Sequence, residues 1–380
     1  MDWTLQCSEC RARTDPGGLP TVCPACGAPW LVHLAQLPDP GAKQHLARRP
    51  WSMWRYREWL PLLAGEEPVS LGEGATPLLR ASYLERHLGM REVWVKDEGK
   101  NPTGSFKARG LAAAVTRARA GGATHFTIPT AGNAGVALAA YGARAAARVR
   151  VYAPATTPTT ILQQIRAFGA ELVLLDGHIG DCGTASRAYA QESGAFDVST
   201  LREPYRIEGK KTLGLELAEQ LGWQLPTAIV YPAGGGTGVI GMWKAFGELR
   251  AAGWLESPVP RLYCVQSSGC APVVRAFERG ADRTEPWRDP VTVAAGLRVP
   301  APLGGRLMLR AMRETSGGAV AVSDDELCAA QTELAEREAI DAAPEGGATW
   351  AALRHLVERG GIRRDESVVL FNTGAGWLYR

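Results

Sequence analysis

From Val93 onward, short runs of β-branched and other apolar residues alternate with longer stretches of helical character. The runs predicted as strands are Val93–Lys96, Phe126–Pro129, Val149–Tyr152, Glu171–Leu175, Ala228–Tyr231, Leu262–Gln266 and Ser367–Phe371. The stretches predicted as helices are Gly110–Ala120, Ala134–Ala147, Thr159–Phe168, 180–193, Lys211–Leu221, Val239–Ala251, Asp324–Arg337 and Ala348–Glu358. Strands separated by helices of about ten or more residues predict parallel sheets covered on both faces. The predicted fold class is therefore α/β, with open, mainly parallel sheets flanked by helices.

The length of 380 residues exceeds what one ordinary core accommodates, so we expect two sheet domains plus a small N-terminal segment. The predicted division is a segment of residues 1–35, a large domain of 36–120 with 206–380, and a small mobile domain of 121–205. Residues 36–65 contain an aromatic group that packs on the main body or, alternatively, forms a surface for a partner: Trp51, Trp54, Tyr56 and Trp59.

Composition and charge exclude several classes of protein. Hydrophobic residues make up 46% and charged residues 21%, a balance typical of folded domains. The net charge is only +3 and no block of lysine and arginine stands out, which gives no support to nucleic-acid or membrane binding. Residues 1–13 lack the apolar core of a signal peptide, and no apolar run approaches the roughly 20 residues of a membrane span. We therefore expect a cytoplasmic protein with reduced cysteines.

A glycine-rich loop follows the predicted strand Ala228–Tyr231. Residues 232–238 read Pro-Ala-Gly-Gly-Gly-Thr-Gly and precede a predicted helix. The glycines allow backbone N–H groups to converge, and the helix N-terminus adds positive potential, which favours a bound phosphate. The spacing is that of neither a Walker loop nor a dinucleotide-binding loop. The loop therefore predicts a phosphate-bearing cofactor other than a nucleotide; the alternative is a flexible turn without a ligand.

Lys107 stands out because the chain has seven lysines against thirty-five arginines. It follows the turn-forming sequence Asn-Pro-Thr-Gly at 101–104 and falls in the first turn of a helix that Ser105 can cap. The positive end of the helix dipole disfavours an ammonium there and favours the neutral amine that Schiff-base formation requires. Lys107 is therefore the candidate nucleophile; the alternative is a solvated surface lysine.

Four motifs together resemble those of the fold-type II pyridoxal-phosphate enzymes. They are Asn-Pro-Thr-Gly-Ser-Phe-Lys at 101–107, Pro-Thr-Ala-Gly-Asn-Ala-Gly at 129–135, the glycine-rich loop, and Phe-Asn-Thr-Gly-Ala-Gly at 371–376. The resemblance implies that pyridoxal 5'-phosphate forms a Schiff base with Lys107, which also shuttles protons. It also implies the cofactor-binding residues Phe106, Asn133 at the ring oxygen, Gly234, Gly235, Gly236, Thr237 and Gly238 at the phosphate, and Thr373 at the pyridine nitrogen.

Within that family the chain is similar to the threonine synthases. Their pattern is matched at Val95–Gly99, at Glu208–Thr212 before a predicted helix, and at Trp243–Phe246, but Ala108 stands where they usually carry aspartate. The resemblance implies a homodimeric lyase that converts O-phospho-L-homoserine and water to L-threonine and phosphate. The residues considered for the substrate phosphate, each otherwise a surface charge or helix cap, are Lys100, Thr103, Ser105, Arg109 and Lys244.

Two cysteine pairs lie near the N-terminus. Cys7 and Cys10 form one pair and Cys23 and Cys26 the other, with twelve residues rich in turn formers between them. Two such pairs present four thiolates in the tetrahedral geometry that zinc takes in structural sites. Four cysteines leave no position for water, so we expect a structural zinc in a zinc-ribbon-like segment. The alternative is four unrelated buried thiols.

Three other functions stay open on sequence alone. One is a threonine or serine ammonia-lyase, since some dehydratases show the Lys-Ala-Arg sequence found around Ala108. Another is cysteate synthase, which also occurs with an N-terminal ribbon and acts on O-phosphoserine with sulfite. The third is a nucleic-acid-binding or regulatory protein on an inactive scaffold. Residues 1–35 carry only two arginines against three carboxylates and so lack the basic face that nucleic acid requires. We expect a small amino-acid substrate and no nucleic-acid or membrane partner.

Overall fold

The computed structural model describes residues 2–380, in which strands and helices alternate over most of the length. The strands are β1 Trp3–Cys7, β2 Arg13–Thr14, β3 Trp30–Leu34, β4 Leu78–Arg80, β5 Glu92–Asp97, β6 His125–Pro129, β7 Arg148–Pro154, β8 Glu171–Leu175, β9 Phe196–Asp197, β10 Ala228–Pro232, β11 Arg261–Ser267, β12 Gly318–Val322 and β13 Ser367–Asn372. The helices are α1 Lys43–Leu46, α2 Ser82–Leu88, α3 Lys107–Ala120, α4 Asn133–Arg144, α5 Thr159–Ala167, α6 Ile179–Ser193, α7 Tyr205–Gln220, α8 Thr237–Ala251, α9 Pro272–Glu278, α10 Gly305–Glu314, α11 Asp324–Glu338 and α12 Pro344–Glu358.

The largest sheet has the strand order β12-β11-β10-β13-β5-β4. Neighbouring strands are parallel except at the edge, where β4 pairs antiparallel with β5. One face of this sheet packs against α2, α11 and α12, and the fully buried Trp350 of α12 lies in that core with Val95 and Leu370. Because β10, β13 and β5 are parallel neighbours, their carboxyl ends lie at the same edge of the sheet, where ligands bind in folds of this kind.

A second, four-stranded parallel sheet has the order β8-β7-β6-β9. In β6 and β7, Phe126 pairs with Val149 and Ile128 with Val151, and these side chains are buried. Helix α4 packs closely on β7 at Gly142, where a Cβ would lie 2.2 Å from Cγ2 of Val149. The predicted α/β class with parallel sheets is therefore confirmed.

The N-terminal residues form a small antiparallel sheet with the order β2-β1-β3. Leu5 of β1 pairs with Val32 of β3, and both side chains are fully buried. Thr4 and His33, the next pair, are more exposed, as the alternation of a strand with one buried face requires. This sheet places Cys7 at the end of β1, beside the turn that carries Cys10.

The chain forms two compact units. One comprises the chain up to Ala75, Asn101–Thr212 and Tyr379–Arg380, and the other comprises Thr76–Lys100 and Leu213–Leu378. The first contains the antiparallel and four-stranded sheets, and the second contains the six-stranded sheet. These bounds differ from the predicted division into 1–35, 36–120 with 206–380, and 121–205, which stays a prediction.

Every predicted strand is present, with bounds that extend by at most two residues at either end. The sequence pattern predicts a helix that begins at Lys211 and places the motif Glu208–Thr212 at its start. This prediction is wrong, because α7 begins at Tyr205 and contains the whole motif. That stretch carries charged residues on all sides and shows no amphipathic pattern, although its charged side chains are buried. The elements that the sequence analysis did not predict include β4, β12, α2, α9 and α10.

Among residues 2–380, no helix has the length and apolar composition needed to cross a bilayer.

A buried ion pair stabilises the unit that contains the six-stranded sheet. Lys96 Nζ lies 2.6 Å from Oε1 of Glu216, and neither side chain is exposed. The ammonium also donates to the Thr76 carbonyl at 2.7 Å and to Oε1 of Gln220 at 2.8 Å. All three protons of the ammonium therefore have acceptors, which is the condition under which a buried charge is tolerated.

Replacing Glu216 with alanine is expected to lower the free energy of unfolding by about 3–5 kcal/mol, because it leaves the ammonium of Lys96 buried without its carboxylate. Replacing both members of the pair with apolar side chains, in the double variant K96M/E216L, should recover most of that loss. Urea unfolding measures both. Asp365→Ala, which removes an exposed partner of Arg363, is the control and should leave the unfolding midpoint nearly unchanged. Equal losses for E216A and the double variant would contradict this account.

Candidate active site

The loop before Lys107 is a tight turn fixed by hydrogen bonds. Oδ1 of Asn101 accepts from the N–H of Gly74 at 3.1 Å, and the Asn101 carbonyl accepts from Gly104 at 2.8 Å. Gly104 has a φ of +68°, a left-handed conformation that glycine adopts without strain. Helix α3 then begins at Lys107 itself, so the prediction that this residue lies in the first turn of a helix is confirmed.

Ser105 does not occupy the N-cap position of α3, because Phe106 does, and the helix has no side-chain cap. The Ser105 hydroxyl instead accepts a long hydrogen bond of 3.4 Å from the N–H of Lys107. The side chain of Lys107 is half-buried, and its Nζ lies 4.0 Å from the centroid of the Phe106 ring. The amine is therefore held against an aromatic face at the start of a helix, where the helix dipole disfavours an added positive charge.

Asn133 begins α4 directly after the loop that follows β6. Thr130 holds this loop, since its hydroxyl accepts from the N–H groups of Gly132 and Gly135, each at 3.1 Å. Nδ2 of Asn133 donates to Oη of Tyr379 at 3.2 Å, while Oδ1 is buried and has no hydrogen-bond partner within residues 2–380. A buried amide oxygen without a partner is rare in proteins and fits a residue that contacts a ligand.

The glycine-rich loop connects β10 to α8 and packs so closely that side chains are excluded. A Cβ on Gly234 would lie 2.1 Å from the carbonyl oxygen of Gly296, and one on Gly238 would lie 1.9 Å from Oη of Tyr231. Gly236, the N-cap of α8, has a φ of +83°, and a Cβ there would lie 2.4 Å from Sδ of Met308.

The geometry of this loop suits an anion. Helix α8 begins at Thr237, so the N–H groups of its first turn have no acceptor within the helix. Those N–H groups and the N-terminal dipole make a helix start after a glycine loop a site for phosphate. The residues present thus fit the phosphate-bearing cofactor that the sequence predicts.

Thr373 follows β13 and is buried. The residue before it, Asn372, is held on both sides of its amide: Nδ2 donates to Oδ1 of Asp97 at 2.8 Å, and Oδ1 accepts from the N–H of Ala343 at 3.2 Å. Burial raises the pKa of Asp97, and this hydrogen bond opposes the rise. Sequence reasoning missed Asn372 and Asp97 as supports of Thr373. The signal lies in the parallel register, which pairs the two residues at the ends of β13 and β5.

Two residues considered for the substrate phosphate belong to the unit that contains the six-stranded sheet. The Lys100 side chain is largely exposed, with its Nζ 4.0 Å from Oδ2 of Asp97. Lys244 lies on α8 and pairs with Glu248 one turn further along the same helix. Neither arrangement points to a phosphate, and both assignments stay predictions.

The other three candidates belong to the unit that contains Lys107. Arg109 is fully buried and donates to Oγ1 of Thr212 at 3.1 Å. Ser105 is buried and contacts the backbone of Lys107. Thr103 is buried, and its Oγ1 has no hydrogen-bond partner among the described residues. The buried hydroxyl of Thr103 therefore has the hydrogen-bonding capacity that a ligand would use.

Lys210 is a residue of this region that sequence reasoning did not single out. It lies on α7 with no exposed surface, its Nζ donates to the carbonyl of Phe106, and the same Nζ lies 4.0 Å from the centroid of the Phe106 ring. Two signals included it, the pattern Glu208–Thr212 and the scarcity of lysine, but neither assigned Lys210 a role.

The four N-terminal cysteines converge as predicted. The Sγ atoms of Cys7, Cys10, Cys23 and Cys26 all lie within 4.8 Å of one another. The distance is 3.4 Å between Cys7 and Cys26 and 3.7 Å between Cys10 and Cys23, which is too long for disulfides. Four sulfurs about 2.3 Å from a central zinc would be about 3.8 Å apart, so the cluster fits a tetrahedral metal site.

Comparison with known proteins agrees with these features. The family model described as pyridoxal-phosphate dependent enzyme matches residues 69–374. The threonine synthase of Methanocaldococcus jannaschii is 34% identical over 373 residues, which are 98% of this chain and 92% of that protein. The threonine synthase of Methanosarcina acetivorans is 35% identical over 97% of this chain and 91% of that protein. Both alignments are long enough to include the cysteine-rich segment or most of it.

The fold also has relatives among solved structures. The crystal structure of a threonine deaminase from T.th. is similar with a TM-score of 0.64 and 26% sequence identity, covering 79% of this chain and 92% of that one. The predicted architecture of the fold-type II pyridoxal-phosphate enzymes is therefore confirmed.

Replacing Gly238 with alanine is expected to weaken binding of pyridoxal 5'-phosphate by roughly tenfold or more, because the new methyl group meets the Tyr231 hydroxyl and displaces the loop. Fluorescence titration of cofactor-stripped protein measures the affinity. Gly247→Ala in the same helix is the matched control, since no atom lies within 4 Å of the added Cβ. It should raise stability by about 0.5–1 kcal/mol and leave cofactor affinity unchanged. Equal affinities for the two variants would contradict a phosphate site at this loop.

Proposed function

We propose that this chain, which belongs to the pyridoxal-phosphate dependent enzyme family, is a threonine synthase that forms L-threonine and phosphate from O-phospho-L-homoserine and water. Membership of the family and lyase chemistry follow from the comparisons. The observation that carries the proposed substrate is the similarity to threonine synthases, which extends over nearly the whole chain. We also propose that the chain acts as a homodimer, which the resemblance of its motifs implies.

We propose that Lys107 holds the cofactor, with Phe106 beside it and Asn133 at the ring oxygen. The N–H groups between Gly234 and Gly238 bind its phosphate, and the Thr373 hydroxyl meets the pyridine nitrogen. When bound, pyridoxal 5'-phosphate supplies the electron sink that makes the proton on Cα, and then a proton on Cβ, acidic. A hydroxyl at the ring nitrogen tempers that sink, which favours elimination and replacement over transamination.

In the proposed reaction the amine of Lys107, once released, removes the proton from Cα and then one from Cβ. The bond between Cγ and the phosphate oxygen breaks, phosphate leaves with the bonding electrons, and Cγ gains a proton. Water then adds its hydroxyl at Cβ, and a proton returns to Cα. Since every transfer involves neighbouring carbons, one mobile amine reaches all of them. A base positioned in this way contributes roughly 10²- to 10⁴-fold in rate.

Ala108 favours a second candidate, a threonine or serine ammonia-lyase. The residue is fully buried in the first turn of α3, next to Lys107, so it contributes no carboxylate there. The similarity to the T.th. threonine deaminase in fold and sequence is the further support for this alternative.

Supplying purified holoenzyme with O-phospho-L-homoserine is expected to release phosphate and L-threonine in equal amounts. Threonine or serine supplied alone should give little 2-oxoacid. Release of phosphate without threonine, or rapid formation of 2-oxoacid, would remove threonine synthase in favour of the alternative.

Borohydride reduction followed by peptide mass spectrometry should find the cofactor attached to Lys107. Lys107→Arg should lower the rate by roughly 10²-fold or more, while Lys43→Arg is the control with full activity.

We propose that the four N-terminal cysteines hold one structural zinc ion. Cys7 and Cys23 are buried and Cys10 and Cys26 exposed, and all four thiols are free of disulfides. The N–H of Glu9 donates to Sγ of Cys7 at 3.4 Å, a contact that stabilises a thiolate. The support for zinc is this geometry, together with a cluster that contains four cysteines and no fifth metal-ligating group among the described residues.

Elemental analysis of the purified protein is expected to find one zinc ion per chain. Cys10→Ser or Cys26→Ser should lose the metal and lower the unfolding temperature by several degrees, because the small antiparallel sheet depends on it. Cys328→Ser is the matched control, since this exposed cysteine lies outside the cluster. Zinc retention in both cluster variants would rule out a four-cysteine site.

A further inference from the structure

Lys210 is a fully buried cation next to Lys107, and the proposed reaction gives it no part. Its Nζ donates to the carbonyl of Phe106, the residue directly before Lys107. Burying an ammonium is unfavourable unless acceptors replace its water. A lysine kept at this position therefore has a physical reason to be there.

The packing of α3 on α7 makes room for this side chain. A Cβ on Gly110 of α3 would lie 2.9 Å from Cε of Lys210 and 3.3 Å from its Nζ. One residue earlier on α7, a Cβ on Gly209 would lie 2.1 Å from the carbonyl oxygen of Arg109. The two helices thus approach backbone to backbone at these glycines, and the lysine passes beneath the first turn of α3.

Lys107 and Lys210 share one aromatic ring. The Nζ atoms lie 4.0 Å from the centroid of the Phe106 ring in each case, so no more than twice that distance separates the two amines. Two positive charges at such a separation in a partly buried site repel each other. The amine of Lys107 is half-buried and reactive, whereas that of Lys210 is fixed by the carbonyl.

Four other charged side chains of these helices have partners among the described residues. On α7, Lys211 pairs with Glu208 at 2.7 Å, and Arg206 donates to the carbonyl of Val198 at 2.7 Å. On α3, Arg109 donates to Thr212 and acts electrostatically on Tyr141 of α4. Tyr141 in turn donates to Glu73 at 2.7 Å. Lys210 is therefore the cation that shares the Phe106 ring with Lys107.

We propose that Lys210 is a positioning residue for Lys107: its buried ammonium fixes the carbonyl before Lys107 and, through its charge, favours the neutral form of the Lys107 amine. This inference rests on the proposed function, in which Lys107 reacts as a neutral amine. The helix dipole and Lys210 act in the same direction, since both place positive potential at the first turn of α3.

The test is competitive acetylation of the full chain after removal of the cofactor, with Lys107 quantified by peptide mass spectrometry against the exposed Lys100. Lys210→Gln removes the charge and keeps a donor for the Phe106 carbonyl. We expect acetylation of Lys107 near neutral pH to fall by roughly tenfold, because more of the amine is protonated. In the holoenzyme, kcat should fall in parallel while KM stays nearly constant.

A second variant keeps the charge and moves it. Gly110→Ala pushes the end of the Lys210 side chain away from Phe106 and should lower acetylation of Lys107 by a smaller factor, about threefold. Gly110→Ala also tests the proposal if Lys210→Gln does not fold, because alanine is favourable in a helix and this variant keeps Lys210. The double variant E208Q/K211M is the control, since it removes a buried pair of the same helix at another position.

Unchanged acetylation of Lys107 in both Lys210→Gln and Gly110→Ala would overturn the proposal, as would an equal fall in the control. Failure of borohydride to attach the cofactor to Lys107 in the wild type would instead overturn the proposed function. The two failures are distinguishable because acetylation is measured without cofactor.

Discussion

The parallel pairing of β13 between β10 and β5 is the constraint on which the six-stranded sheet depends. It brings the ends of three strands to one edge of the sheet. The glycine-rich loop and Thr373 therefore follow two neighbouring strands, β10 and β13. The hydrogen bond between Asn372 and Asp97 fixes the last residue pair of that ladder. Asn372 also accepts from Ala343, which ties the strand end to the start of α12. The loop positions therefore follow from sheet register, and their chemistry follows from the residues placed there.

Much of this arrangement follows from sequence because its signals are local. A short apolar run predicts a strand such as β10, and glycines in series after it predict a tight loop. The sequence cannot show why each glycine is needed. Gly238 faces the hydroxyl of Tyr231, seven residues earlier, and Gly234 faces the backbone of Gly296 across a long stretch of chain. Those contacts exist only after folding. A pattern of glycines therefore predicts the loop but not the residues that pack against it.

Helix α7 resisted prediction for a different physical reason. Its first half carries charges that a sequence pattern assigns to solvent, yet Arg206, Glu208 and Lys211 are buried. The cost of this burial is visible nearby, since burial raises the pKa of Glu203 to about 7 and lowers that of Arg206. Such a helix is stable only where partners for each charge are supplied by residues distant in sequence. Its start could therefore be located only from the folded structure.

The same reasoning explains why an arginine-rich chain keeps lysine at a few positions. Three of the seven lysines, Lys96, Lys210 and Lys211, have no exposed surface. An ammonium is compact and directs three protons to separate acceptors, whereas a guanidinium is a broad, flat group with a fixed fork. At Lys96 three acceptors within 2.8 Å match the first geometry. Beside Gly110 the space is narrow, since a Cβ there would lie 2.9 Å from Cε of Lys210 and 3.2 Å from the carbonyl oxygen of Arg206. Lysine is found at Lys96 where the shape of the cation matters, and the role proposed for Lys107 requires a primary amine that can become neutral.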